Sequence, residues 1–350
     1  MEIDIFITIL LFVFTLVYPK SKRLAAAFFI FMWLLWGFNT FNGDYIAYED
    51  TFLSPDFSSS PEFGYLLLNS IVGCFTSSYQ VFLALMSLGI LFVMYRISSK
   101  YSPYPALFAL IYFLIFLMEF VFNRNYIVTT IFLCALLTFS QTENNKYFIV
   151  LVLLGCTVHS FCFLYIFFLP CISCKLISLK KNLFYLLIVR IAIIITCNIV
   201  LPYLGSYIVE KVSHYQSEEG VTNSSYALII IVILSLYAYH YSKVSDKELP
   251  TIMKCIYNIN IFALVFVSVF YFIPYAASRF MRLLFVLDLL FLTFILSKVQ
   301  GKRKIVISLL FIIFICVVLA FFMKSTFPYT VIPLYKCNLI FGNDYYVPSL

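Results

Sequence analysis

The chain has 350 residues, 63% hydrophobic and only 11% charged, with a mean hydropathy of +1.02. So few charged side chains cannot cover the outside of a soluble domain, and several apolar runs approach or exceed the roughly 18 residues that cross a bilayer. The formal net charge of +7 resides largely in short basic loops and does not argue for nucleic acid, and runs that do not alternate in polarity exclude a barrel.

In chain order, apolar runs occupy 3–18, 24–38, 79–97, 104–122, 126–139, 147–158, 160–174, 183–201, 226–242, 255–275, 280–297 and 305–323. The expectation is an all-α, polytopic helical membrane protein of about twelve transmembrane spans in a single integral membrane domain, 1–350. The first run, Ile3–Val17, is followed by Pro19-Lys20-Ser21-Lys22-Arg23 and not by a small-residue cleavage site, so it is read as a span. Phe63–Phe75 is too short to cross and is read as re-entrant or interfacial. The ten cysteines lie mostly within or beside apolar segments, as small buried hydrophobes. Cys171 and Cys174 form a CxxC without a second pair or a His cluster, and Cys74 and Cys337 both fall on the outer side, where a disulfide is open to them.

Basic loops set the orientation. With the N-terminus outside, the inner loops hold Lys20, Lys22, Arg23, Arg96, Lys100, Lys146, Lys175, Lys180, Lys181, Lys243, Lys247, Lys254, Lys298, Lys302, Arg303 and Lys304, which is 16 of the 23 Lys plus Arg. The same rule decides against one long span over 147–169 and for two short spans, 147–158 and 160–174. A single span would put Lys146 on the opposite side from Lys175, Lys180 and Lys181, whereas two keep all four inside and leave His159 at an outer turn. Two outer loops are expected, about 39–62 with Asp44, Glu49, Asp50, Asp56 and Glu62, and about 202–225, followed by an outer C-terminal tail, 324–350.

Basic residues that escape the inner loops include Arg124, Arg190, Arg279 and Arg282. Arg190 is the deepest, within an apolar run, where a charge usually faces a partner or a wet cavity. Arg279 and Arg282 are three residues apart and share a helix face. Arg124 interrupts two apolar runs in "FVFNRNYIVTT". Boundary arginines can snorkel to headgroups, but three at the outer boundary are economically explained by an anionic ligand, because the guanidinium fork grips phosphate oxygens in pairs. His159 and the acidic loop residues Asp44 and Glu62 add groups suited to moving a proton from a hydroxyl. There is no Walker A, HExxH or GxSxG motif and no segment long enough for a nucleotide-sugar-binding domain.

Three blocks, in order, carry a resemblance. "NGDYIAYEDTF" followed by "SPEFGYLLLNSI", then "NRNYIVTTIFLCALLTF", then "KYFIVLVLLGCTVHSFCFLYIFFLP" together resemble the EpsG-like, Wzy-type polysaccharide polymerases across roughly residues 38–170. The chain departs from that pattern at Asn125, Val128 and Cys162. The resemblance implies a GT-C-like glycosyltransferase architecture in a bacterial cytoplasmic (inner) membrane, with its active site facing the periplasm or outside. It implies an enzyme that joins undecaprenyl-pyrophosphate-linked oligosaccharide repeat units, donor and acceptor alike, beside a chain-length regulator protein, with no cofactor and no metal. By match it implies Arg124 as a pyrophosphate contact, with Arg279 and Arg282 as further cations, and His159, Asp44 and Glu62 as catalytic candidates; Arg190, singled out by its depth in an apolar run, joins the arginines as a pyrophosphate-binding candidate. A flippase for lipid-linked oligosaccharide and an O-antigen ligase are the alternatives. A transporter would favour two related halves, which the sequence does not display.

Overall fold

The computed structural model describes residues 3–58, 62–178, 222–270, 274–323 and 327–343, with isolated positions at 184, 187, 188, 191 and 195. The architecture is all-α. Helices run α1 Ile3–Val17, α2 Lys22–Gly37, α3 Tyr45–Leu53, α4 Phe63–Gly73, α5 Tyr79–Tyr101, α6 Pro105–Glu119, α7 Asn123–Thr142, α8 Asn145–Val158, α9 Thr222–Ser242, α10 Thr251–Phe270, α11 Pro274–Lys298, α12 Gly301–Met323 and α13 Phe327–Lys336. A 3₁₀ segment, Ser160–Cys171, follows α8, and a two-stranded hairpin, β1 Cys337–Asn338 with β2 Gly342–Asn343, follows α13. Among the described residues, α5, α7 and the Gly301–Ala320 part of α12 are long and apolar enough to cross a membrane, and several shorter apolar helices accompany them. The apolar run 183–201, the loop 202–221 and the tail end 344–350 lie outside the described residues, apart from the isolated positions.

Among the described residues, helices follow most of the apolar runs, and three details of the sequence reading are refined. The loop expected at 39–62 contains α3, because Tyr45, Tyr48 and Phe52 fall on one helical face and are buried. The run at 160–174 is wound as 3₁₀ up to Cys171, with Pro170 near its end removing a backbone donor. Cys74 and Cys337 are both free thiols.

The chain divides into two compact units. One comprises 1–134, 150–163 and 322–350, the other 135–149 and 164–321. In the first, α2 packs against α5 and α6 through aromatic pairs such as Phe28–Phe113 at 5.9 Å and Trp36–Phe116 at 5.7 Å. Its C-terminal tail is tied to the end of α2. Asn338 Nδ2 donates to the carbonyls of Leu34 and Leu35, and Asn39 Nδ2 donates to those of Pro333 and Cys337. Both amides serve backbone acceptors, and Asn338 satisfies carbonyls that a helix end leaves unpaired. In the second unit, α9, α10 and α11 pack together. A fully buried Asp288 on α11 there accepts a hydrogen bond from Asn260 Nδ2 of α10 at 2.5 Å.

Candidate functional site

Glu62 stands at the N-terminal end of α4, where the exposed amides of a first helical turn favour a carboxylate. Its side chain is 1% exposed and accepts from four donors. Arg124 Nη1 reaches Oε2 at 2.5 Å. His159 Nδ1 reaches Oε1 at 2.5 Å, joined there by the Ser160 backbone N–H at 3.2 Å and the Ser160 hydroxyl at 3.3 Å. A carboxylate ringed by donors is held ionised and fixed in direction. Glu62 is 97 residues from His159 and 62 from Arg124 in sequence.

Each partner is held by its own element. Arg124 begins α7, and its guanidinium carbon lies 5.2 Å from the ring centres of both Tyr48 on α3 and Tyr65 on α4, cation–π geometry in each case. The two rings meet edge to face at 6.0 Å. The preceding residue, Asn123, is buried and donates through Nδ2 to the Tyr79 hydroxyl of α5 at 3.0 Å, which locks the start of α7. Tyr79 in turn packs on Tyr45 of α3 at 5.0 Å.

His159 sits where the chain reverses. The Cys162 thiol donates to the Val152 carbonyl at 3.5 Å, a pairing of residues that a continuous helix would hold about 15 Å apart at 1.5 Å rise per residue. Gly155 makes room for the return, since a Cβ there would meet the Cys162 sulfur. Gly64 plays the corresponding part on α4. A Cβ at Gly64 would lie 2.8 Å from Thr157 Cβ and 2.9 Å from the Thr157 carbonyl carbon, so only glycine lets α4 approach the end of α8 closely enough for Glu62 to meet His159. Gly64→Ala is expected to destabilise the protein by roughly 1–3 kcal/mol through overpacking and to part that pair. Thermal unfolding and activity of the purified variant measure both effects, and values equal to the unmodified protein would refute the spacing argument.

A pocket of about 370 Å³ opens beside this cluster, lined by Asp50, Thr51, Ser54, Asp56, Glu62, Tyr65, Leu66 and Arg124. The Arg124 side chain is 34% exposed, so part of the guanidinium faces outward while Nη1 holds Glu62. Burial pushes the hydroxyl pKa of Tyr48 up, with Arg124 opposing the shift and Asp44 adding to it, and burial pushes that of Tyr45 up to about 12. Both rings stay neutral at any physiological pH and act as packing and hydrogen-bonding groups.

Of the sequence-predicted site residues, Glu62, Arg124 and His159 are brought into one cluster. Asp44 lies at the N-terminal end of α3, one turn before Tyr48, and is half-buried. Arg279 and Arg282 lie in the first turns of α11, in the other compact unit. Arg190 lies outside the described residues. Sequence reasoning did not single out Tyr48, Tyr65, Asn123, Ser160 or Gly64. All five sit inside or beside the blocks that carry the family resemblance, and Ser160 directly follows His159, but nothing in a linear pattern separates these tyrosines from the other 25 of the 27. Among the described residues no group of three or more His, Cys, Asp or Glu is arranged to hold a metal ion.

A family model described as EpsG family matches residues 22–334. No curated protein and no solved structure matches the chain.

Proposed function

We propose, since the chain belongs to the EpsG family, that it is a membrane glycosyltransferase that polymerises lipid-linked oligosaccharide repeat units. The observation that carries the reading is the buried Glu62 carboxylate bridging His159 and Arg124. Glu62 occupies His159 Nδ1, so exchange of a proton with substrate is assigned to Nε2. The arrangement has the logic of a histidine base oriented by a carboxylate. The acceptor sugar hydroxyl gives its proton to Nε2 as its oxygen bonds to the donor's anomeric carbon. The bond from that carbon to the pyrophosphate oxygen breaks, and the leaving group takes the electron pair. Glu62 stabilises the imidazolium that forms. Glu62 is therefore a positioning residue and His159 the base. The outward-facing part of Arg124 is suited to a phosphoryl oxygen of the leaving group, where charge grows in the transition state.

The full proposal includes an undecaprenyl-pyrophosphate donor, about twelve spans in a GT-C-like arrangement, residence in the bacterial inner membrane and a site on its outer face. Arg190, Arg279 and Arg282 are proposed as further cations for phosphate, and a chain-length regulator as a protein partner. The basic inner loops support the orientation. Labelling of single cysteines introduced at Ser58 and Ser245 is expected to find Ser58 outside and Ser245 inside, and the reverse pattern would overturn it. The activity test is polymerisation of a purified lipid-linked repeat unit by the purified protein. Products of increasing length, undiminished by EDTA, are expected. Transfer confined to a lipid A core acceptor would make the protein a ligase, and movement of the repeat unit across vesicles without bond formation would make it a flippase.

A further inference from the structure

α3 and α4 each bring one aromatic ring to the same cation. Tyr48 and Tyr65 are both buried, and the Arg124 guanidinium carbon lies 5.2 Å from either ring centre. The Tyr48 hydroxyl also accepts hydrogen bonds from Arg124, from its side chain and from its backbone N–H. Packing fixes both rings. They meet edge to face at 6.0 Å with 67° between their planes, and Tyr65 meets Phe82 of α5 at 6.2 Å and 81°. The Tyr65 hydroxyl is engaged by Asn69, one turn further along α4 on the same helix face and fully buried.

An aromatic face and a carboxylate hold a guanidinium in different ways. A carboxylate draws on the N–H groups at the edge of the fork. A ring attracts the cation through its quadrupole and takes none of the five N–H donors. Among the described residues, Glu62 is the carboxylate that pairs with Arg124, at Nη1, and the Tyr48 hydroxyl takes a further donor. The two rings supply the rest of the grip, so part of the fork is left for a ligand. Arg124 and Tyr65 both line the pocket. A second carboxylate in place of either ring would compete with a phosphoryl oxygen for those donors and would repel it.

We infer that Tyr48 and Tyr65 are positioning residues, whose ring faces clamp the Arg124 guanidinium so that the N–H groups not taken by Glu62 and Tyr48 meet a phosphoryl oxygen of the donor. This assignment rests on the glycosyl-transfer reading above and adds to it the residues that aim its phosphate contact.

The test replaces Tyr65, and separately Tyr48, by phenylalanine and then by phenylalanines with successively more ring fluorines. Fluorine nearly preserves the shape of the ring while draining the negative charge from its face, so the series weakens the hold on a cation and little else. Donor kcat/KM is expected to fall stepwise with each added fluorine, about 3- to 30-fold over the series, with the acceptor KM unchanged. A series flat in donor kcat/KM, or one that moves only the acceptor KM, would overturn the assignment, because a packing role does not follow the fluorine count. Phosphorus NMR of a short-chain polyprenyl pyrophosphate titrated with the purified protein gives a readout independent of turnover. Binding that weakens along the series while the unmodified protein forms no polymer supports the clamp and sinks the polymerase reading. Polymerisation with rate and binding both flat along the series does the reverse.

Discussion

His159→Ala is expected to slow polymerisation by about 10²–10⁴-fold, the usual contribution of a positioned general base, with the protein still folded and inserted. The imidazole is 7% exposed and makes its bond to Glu62 with Nδ1, so the variant removes the only histidine nitrogen the proposed geometry offers to a hydroxyl. Glu62→Gln is expected to lose a comparable factor by a different route. An amide nitrogen in place of one carboxylate oxygen would face either Arg124, at the Oε2 position, or His159, at the Oε1 position. The imidazolium would lose its counter-charge and the ring its fixed tautomer. Because the two residues act as a unit, the double variant should be little slower than either single one. Added imidazole should partly restore His159→Ala and leave Glu62→Gln unchanged. The measurement is initial rate on purified lipid-linked repeat unit, together with chain-length distribution in cells. Wild-type chain lengths made by His159→Ala would remove His159 from the mechanism.

Arg124→Ala is expected to unfold or deplete the protein before activity can be read. It leaves the Glu62 carboxylate, 1% exposed, without its cation. Breaking a buried pair from one side costs about 3–5 kcal/mol, and the lower end applies because the Arg124 side chain is 34% exposed. Arg124→Lys keeps the charge but not the planar fork, nor the flat guanidinium lying over the rings of Tyr48 and Tyr65. It should fold and turn over roughly 10- to 100-fold more slowly, the equivalent of one charge-assisted hydrogen bond of about 1.5–3 kcal/mol. Arg124→Met combined with Glu62→Leu removes both charges. It should recover only part of the stability lost in Arg124→Ala, since replacing a buried pair by apolar groups is often neutral but His159 Nδ1 and the Ser160 N–H lose their acceptor, and should remain inactive. Detergent thermal unfolding and in-vitro rate separate these outcomes. Arg124→Lys at the wild-type rate would reduce the arginine to a surface charge.

The three residues of the cluster were each visible as chemistry out of place: an arginine between apolar runs, a histidine at an outer turn, an acid at the edge of an acidic loop. Their meeting was not visible. Asp44 and Glu62 read alike in sequence, yet only Glu62 has its carboxylate inside the ring of donors, because Gly64 lets its helix lie against Thr157. Tyr48 and Tyr65 carry no mark in sequence that separates them from the chain's other tyrosines, and only the fold puts one on each of two helices around the same guanidinium. α3 is hidden within the acidic stretch 39–62 because nine residues are too few for an apolar period to stand out beside acidic neighbours. Its buried stripe has meaning only against the helices that cover it.

Composition and the distribution of Lys and Arg by themselves determined that this is an all-α membrane protein, where most of its described apolar helices lie along the chain and which of its loops are basic. Those properties depend on transfer of side chains between water and lipid, which acts on each segment almost independently. Only the tertiary structure decided that Glu62 takes both His159 and Arg124, that the tail caps α2 through Asn338, and that Asp50 and Asp56 share a pocket wall. Such contacts join positions as far as 304 residues apart, and they depend on close approach at a few glycines and on the direction of single hydrogen bonds, which no local pattern of polarity encodes.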